Sequence, residues 1–267
     1  MHDLWSDDPA KRLNAARTLT ELQRHQVLQE LQATTPLKPW PYGMPTSINP
    51  YVIVLGFSPG DSPASSDVGL DMKNASIDPP TVGAKHPKIM YRDTRNYWDK
   101  VRELFIALIR HYESHQMSED DCLAISGHLN LDTGRAGQVK PENLDSDFVA
   151  WVSRIIAAHL MPRVVVCVGL RGVFNKPTVS KMWNIPGGLN VQWDRPQFCE
   201  RFVIDGAPSK YSFNGWLADG ADGKKVMVVS WPNHPSRHPF GSYPSAEWTS
   251  AINHGKQFLD TIAKASS

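Results

Sequence analysis

The chain has 267 residues, enough for one large domain or two small ones with a sizeable core, and its 41% apolar and 21% charged residues are those of an ordinary soluble globular protein. Twenty-eight Lys and Arg against 27 Asp and Glu leave a formal charge of +1, so any nucleic-acid footprint has to be local. The cysteines Cys122, Cys167 and Cys199 lack C-x-x-C spacing, which argues against a disulfide framework, a zinc ribbon or an iron–sulfur cluster.

Along the chain, "MHDLWSDDPAKR" lacks the apolar region of a signal peptide. No apolar run approaches the roughly 20 residues of a membrane span, so the expected location is the cytoplasm. Asp8 and Pro9 open an amphipathic helical pattern, and residues 1–45 read as a helical extension. Four nearly continuous apolar runs follow: "YVIVLG" (Tyr51–Gly56), "CLAIS" (Cys122–Ser126), "RVVVCVG" (Arg163–Gly169) and "KVMVVS" (Lys225–Ser230). Continuous rather than alternating runs suit strands buried on both faces of a parallel sheet.

Helical periodicity fills the intervals. "TRNYWDKVRELFIALIRHYES" places Tyr97, Val101, Leu104, Phe105 and Leu108 on one face, with Lys100, Arg102 and Arg110 read as solvated. "NLDSDFVAWVSRIIAAHL" repeats the pattern, and "SAEWTSAINHGKQFLDTIAKA" closes the chain. The expected fold is α/β, a three-layer α/β/α sandwich around a central four-stranded parallel sheet, in a single domain over residues 1–267. Residues 174–223 form an insertion with aromatic and basic residues interleaved, either a surface-packed hairpin or added contacts for splayed nucleotides.

In an open parallel sheet, ligands bind beyond the carboxyl ends of the strands. Those ends here are "GFSPGDSPASS", "GHLNLDTGRAG", "GLRGVF" and "WPNHPSRHPF". They converge on one cleft floored by glycines and walled by His234, Asn130, Asp61 and Arg237. His234 and His238 are four residues apart, but the prolines between them rule out a helical pair of metal ligands, and no metal or other cofactor is called for.

The pairing of "VIVLGFSPG" with a late "HPSRHPF" resembles the uracil-DNA glycosylase superfamily, whose first motif is a strand followed by Gly-x-x-Pro-Gly and whose second is a strand followed by His-Pro-Ser. "RNYWDKV" is similar to the Asn-Arg-Phe-Trp segment of the mismatch-specific branch. "PRVVVCVGLRGV" is similar to the penultimate strand and turn, and "LNLDTGR" sits where members carry a base-reading Asn. Order and spacing agree from about Tyr51 to Phe240.

The resemblance implies an enzyme that flips a base out of DNA and hydrolyses its N-glycosidic bond. His234 would hydrogen-bond the departing base. Asn130 would read its edge, with Phe57, Tyr91, Tyr97 or Trp98 stacked on it. Pro235, Ser236, Arg237 and His238 would shape the loop and its wedge in the duplex, and Gly60 and Arg171 would add DNA contacts. The places that carry the water-positioning carboxylate in many branches are here Ser58 and Phe57, neither a base at neutral pH. Asp61, with Asp132 in reserve, is the expected substitute, and Ser58 can orient a water weakly.

That departure, with the insertion, points away from plain uracil towards a modified or noncanonical base, including one in foreign DNA. No lysine stands out as a Schiff-base nucleophile, so a monofunctional, monomeric enzyme leaving an abasic site is expected. Two other classes stay open: a DNA-binding relative that has lost catalysis, and a hydrolase of free nucleosides. A basic rim from Arg135, Lys140, Arg171, Lys176 and Arg237 would favour DNA over free nucleosides.

Overall fold

A computed structural model describes residues 50–57, 96–113, 115–131, 140–204, 207–220, 223–235, 237, 239–240 and 244–266. Six strands form one sheet in the order β2-β1-β3-β6-β5-β4. Their bounds are β1 Val52–Gly56, β2 Ser126–Asn130, β3 Val164–Cys167, β4 Phe198–Ile204, β5 Ala207–Asp219 and β6 Lys225–Ser230. β1 pairs in parallel with β2 and β3, and β3 with β6, whereas β5 pairs antiparallel with both β6 and β4. The sheet is therefore mixed and six-stranded, not the four parallel strands expected.

The two extra strands come from the insertion. Ile204 pairs with Ala207, leaving the two residues Asp205 and Gly206 as the connection. Asp-Gly is one of the sequence pairs favoured in two-residue hairpin connections. Trp216 of β5 and Trp193 before β4 enter one core, and Phe202 and Phe213 the other. These aromatics of the insertion build the sheet, so they are not free to stack on nucleotides.

A second correction concerns the segment "SEDDCLAIS". Ser118 caps a short helix, its hydroxyl accepting from the Asp121 amide at 3.2 Å, with Glu119, Asp120 and Asp121 in the first turn. A cap and three acids at a helix N-terminus outweigh the apolar run that suggested a strand. The strand begins only at Ser126 and reads "SGHLN", three of whose residues, Ser126, His128 and Asn130, are buried polar groups.

Helices cover both faces. α1 (Asn96–Tyr112), α2 (Glu119–Ala124) and α6 (Ala246–Ser266) pack with Val52, Val54, Val164, Val166 and Val229. α3 (Ser146–Ile155), α4 (Arg171–Phe174) and α5 (Pro177–Trp183) pack with Ile53, Leu55, Val165, Cys167 and Val228. Successive residues of one strand thus feed opposite cores, the reason these strands read as unbroken apolar runs. Asp145 caps α3, accepting from the Phe148 amide at 2.8 Å. Among the described residues no helix is long and apolar enough to cross a membrane. Cys122 and Cys167 are buried free thiols, whereas Cys199 is exposed.

α6 meets β6 through Gly255, where a Cβ would overlap the indole of Trp231, itself fully buried. Gly→Ala in a helix interior ordinarily gains about 1 kcal/mol. Here overpacking against a rigid ring costs about 1–3 kcal/mol and outweighs that gain. Gly255→Ala should therefore lower the urea midpoint; an unchanged or raised midpoint would show that Trp231 does not fill this contact.

Candidate functional site

The carboxyl ends of the parallel strands lie side by side. Gly56, last in β1, pairs with Asn130, last in β2. The Val168 amide donates to Leu55 O at 2.9 Å, and the Trp231 amide to Cys167 O at 2.8 Å, so the chain leaving β3 and β6 continues along the same rim. Phe57 is half-buried at the end of β1, packed on the core, and keeps its place as a stacking candidate.

Two glycines let side chains close over the rim. A Cβ on Gly56 would stand 2.5 Å from Asn130 Oδ1 and 3.6 Å from the His128 ring. Gly169, at φ +70°, lies under His234, whose Cδ2 would be 3.0 Å from an added Cβ. An L-residue at Gly169 would be both strained and crowded.

The Asn130 side chain is 1% exposed, and neither Oδ1 nor Nδ2 has a hydrogen-bond partner among the described residues. Leaving a buried amide unpaired costs about 1–3 kcal/mol, so its retention calls for an explanation outside folding. A bound group with adjacent donor and acceptor would satisfy it.

His234 and Asn130 are connected by two residues. The Tyr97 ring stacks on the His234 imidazole, centroids 5.0 Å apart and planes 13° from parallel. Its hydroxyl shares a 2.6 Å hydrogen bond with Nε2 of His128, which stands over Gly56 next to Asn130. Tyr97 is thus at the site, but one face of its ring is taken by His234. Backbone positions place Trp98 in α1; its side chain lies outside the described residues.

The loop after β6 is built from successive turns. Asn233 Oδ1 accepts from the His234 amide, the Arg237 amide donates to His234 O, and the Phe240 amide donates to Arg237 O. Pro232 and Pro235 restrict φ between these bonds. From below, Lys100 Nζ donates to Pro235 O at 2.9 Å and Phe240 O at 3.3 Å. Lys100 is fully buried, not part of a solvated face as its helical position suggested. Burial lowers its pKa, while Glu103 and Glu247 pull it back up.

Charge and burial set the state of the imidazole. Burial first, then the Arg237 guanidinium and the Lys100 ammonium, push the His234 pKa down to about 4, so the ring is neutral at neutral pH. Arg237 is exposed, and Arg171 opens α4 with its guanidinium on the Ser212 hydroxyl at 2.9 Å. Ser58, Gly60, Asp61, Asp132, Ser236 and His238, together with Tyr91 and Arg135, lie outside the described residues.

His128 and Lys100 were missed by sequence reasoning. His128 belongs to a polar stretch that reads as a loop, although the alternation His128-Leu129-Asn130 suits the strand that it forms. Lys100 carries no local signal, because only the returning loop makes its position interior. A separate cavity of about 440 Å³ lies at the amino ends of the strands, lined in part by Tyr51, Tyr112, Arg163, Lys224 and Lys225. Set against protein-family models, curated proteins and solved structures, the chain matches none.

Between the ordinary imidazole value of 6.5 and about 4, the unfolded chain binds a proton that folded His234 refuses. Stability therefore falls as pH drops through that window, with a slope from this group of at most about 1.4 kcal/mol per pH unit. The dependence fades over about one pH unit above 6.5, where the unfolded imidazole also loses its proton. Urea unfolding at pH 7, 6, 5 and 4 should show the wild-type slope flattened in His234→Gln; equal slopes would contradict a neutral, half-buried imidazole.

Proposed function

We propose that this protein is a monofunctional DNA glycosylase that hydrolyses the N-glycosidic bond of a flipped-out modified or noncanonical base and leaves an abasic site. The observation that carries the reading is the buried Asn130 carboxamide, without a hydrogen-bond partner among the described residues, on the same rim as a neutral imidazole. Asn130 offers one donor and one acceptor, the complement of a base edge presenting an acceptor beside a donor. A duplex hides that edge and the sugar carbon behind it, so the base has to leave the stack to reach either.

The chemistry then runs along the rim. As the bond from the sugar carbon to the base nitrogen breaks, its electron pair goes to the base. A neutral imidazole N–H at His234 donates to the oxygen or nitrogen that gathers this charge. Arg237 and Lys100 favour the developing anion for the same reason that they disfavour a protonated imidazole. The water that bonds to the sugar carbon passes its proton to Asp61 or to solvent, and the released base takes up a proton from solvent; positioning of that water is assigned to Ser58 and Asp61, which follow β1 in sequence. A sheet with glycines at its strand ends, followed by His-Pro-Ser, agrees with a uracil-DNA glycosylase-like core on which β4 and β5 are an addition.

Exposed Arg171, Lys176 and Arg237 follow β3 and β6 at this rim, and they favour DNA over a free nucleoside, which needs no phosphate contacts. A modified base, including one in foreign DNA, is the proposed target because Ser58 stands where the usual water-positioning carboxylate would be. Trp193, Phe202, Phe213 and Trp216 of the insertion do not support this, since they are core.

The test is abasic-site formation on single- and double-stranded DNA carrying uracil, hypoxanthine, or natural, hydroxymethylated and glucosylated cytosine. Wild-type protein should act on at least one. His234→Ala should lower that rate by about 10²–10³-fold, the usual cost of losing a donor to a developing anion. Asn130→Ala should cost about a hundredfold on the same substrate. Activity indifferent to both substitutions would remove this rim from the reaction, and an intact panel with retained DNA binding would favour the noncatalytic relative.

A further inference from the structure

Among the described residues, Lys100 is the one Lys, Arg, Asp or Glu side chain that is fully buried. A methionine would fill the same volume without desolvating a charge, so packing does not account for a lysine here. Its setting is specific. The Trp248 indole N–H donates to the Lys100 carbonyl at 3.2 Å, tying the start of α1 to α6. From that anchored backbone the ammonium reaches carbonyls of Pro235 and Phe240, on either side of Arg237.

We infer that Lys100 is a positioning residue for the proposed glycosylase reaction: its buried ammonium pins the loop that carries His234 and sets a fixed positive charge beside the imidazole that meets the departing base. The inference rests on the glycosylase reading for its chemistry, but its geometry stands apart from it. A loop held only by its own turns would shift when a duplex pushes on Arg237. A loop also held by a cation from beneath keeps the imidazole in register with Gly169, where 3.0 Å leaves no slack.

The groups that face this pair come from several elements. His234 meets Tyr97 and Lys100 from α1, Arg237 from its own loop and, behind Tyr97, His128 from β2. Lys100 has Glu103 on its own helix and Glu247 on α6, whose carboxylates oppose the lowering of its pKa by desolvation. Lys100 and Arg237 both disfavour a protonated His234, so removing the Lys100 charge should raise the imidazole midpoint.

The experiment is NMR titration of the His234 ring in wild type, Lys100→Arg, Lys100→Gln and Lys100→Met, with kcat and KM measured on whichever DNA the protein cleaves. The Gln and Met variants should raise the midpoint by about half a unit or more, and the Arg variant should keep it low. In Gln and Met, kcat should fall by about tenfold with KM within about twofold, the signature of an interaction used in the transition state. An unmoved midpoint in folded Gln or Met protein would overturn the inference, and so would an Arg variant that titrates like Met. Should Gln and Met fail to fold, the Nζ protons of wild-type Lys100 decide: slow exchange at neutral pH supports a buried, hydrogen-bonded ammonium, and rapid exchange sinks it. The titration needs no turnover, so an unshifted midpoint counts against Lys100, while an uncut DNA panel counts against the reaction.

Discussion

The contact on which the site depends is the Lys100 ammonium held between the carbonyls of Pro235 and Phe240. It joins the first described helix to the loop that leaves the last strand, 135 and 140 residues away in sequence. Without it, the prolines would stiffen the loop but nothing would fix where the stiff piece sits. A charge in this place is costly unless hydrogen-bonded, and two carbonyls plus the nearby Glu103 and Glu247 offset that cost. Burial and Arg237 do most to keep His234 neutral and the same Lys100 charge adds to them, so one interaction fixes the position of the imidazole and contributes to its protonation state.

Around that fixed point the rim is organised by what glycine allows. Gly56 lets the Asn130 carboxamide and the His128 ring fold over the end of β1, and Gly169 lets His234 lie against the end of β3. Tyr97 spans the two halves, stacked on His234 and hydrogen-bonded to His128. Polar groups therefore run unbroken from Asn130 to Arg237 across strands whose other residues are almost entirely apolar. The sheet supplies rigidity, and the strand ends supply donors and acceptors.

How much of this was legible depended on whether the cause was local. β1, β3 and β6 announce themselves because both faces of each are buried, which removes alternation from "VIVLG", "VVVC" and "KVMVVS". α1, α3 and α6 follow their apolar spacing closely. β2 was displaced because "CLAIS" is more apolar than "SGHLN", while the deciding signals were the Ser118 cap and the acids after it. Composition alone does not separate a β4–β5 hairpin from added nucleotide contacts; the local signal is Asp205-Gly206, between the paired Ile204 and Ala207. At the site, His234, Arg237 and Asn130 were readable because they follow or end strands. The burial of Lys100 was not, since it is created by a loop far away in the chain, and neither was the stacking of Tyr97 on an imidazole instead of a base.

The central claim is that a base docks against Asn130 beside His234, and the most direct measurement observes that docking without turnover. The side-chain amide resonances of Asn130 would be followed by NMR as DNA carrying an uncleavable 2′-fluoro nucleotide of the excised base is added. The account predicts that the Asn130 Nδ2 protons shift strongly downfield on binding, together with the rings of His128 and His234, and that the matching unmodified duplex leaves them in place. Shifts confined to the amino-end cavity around Arg163, Lys224 and Lys225, with Asn130 unmoved, would contradict it.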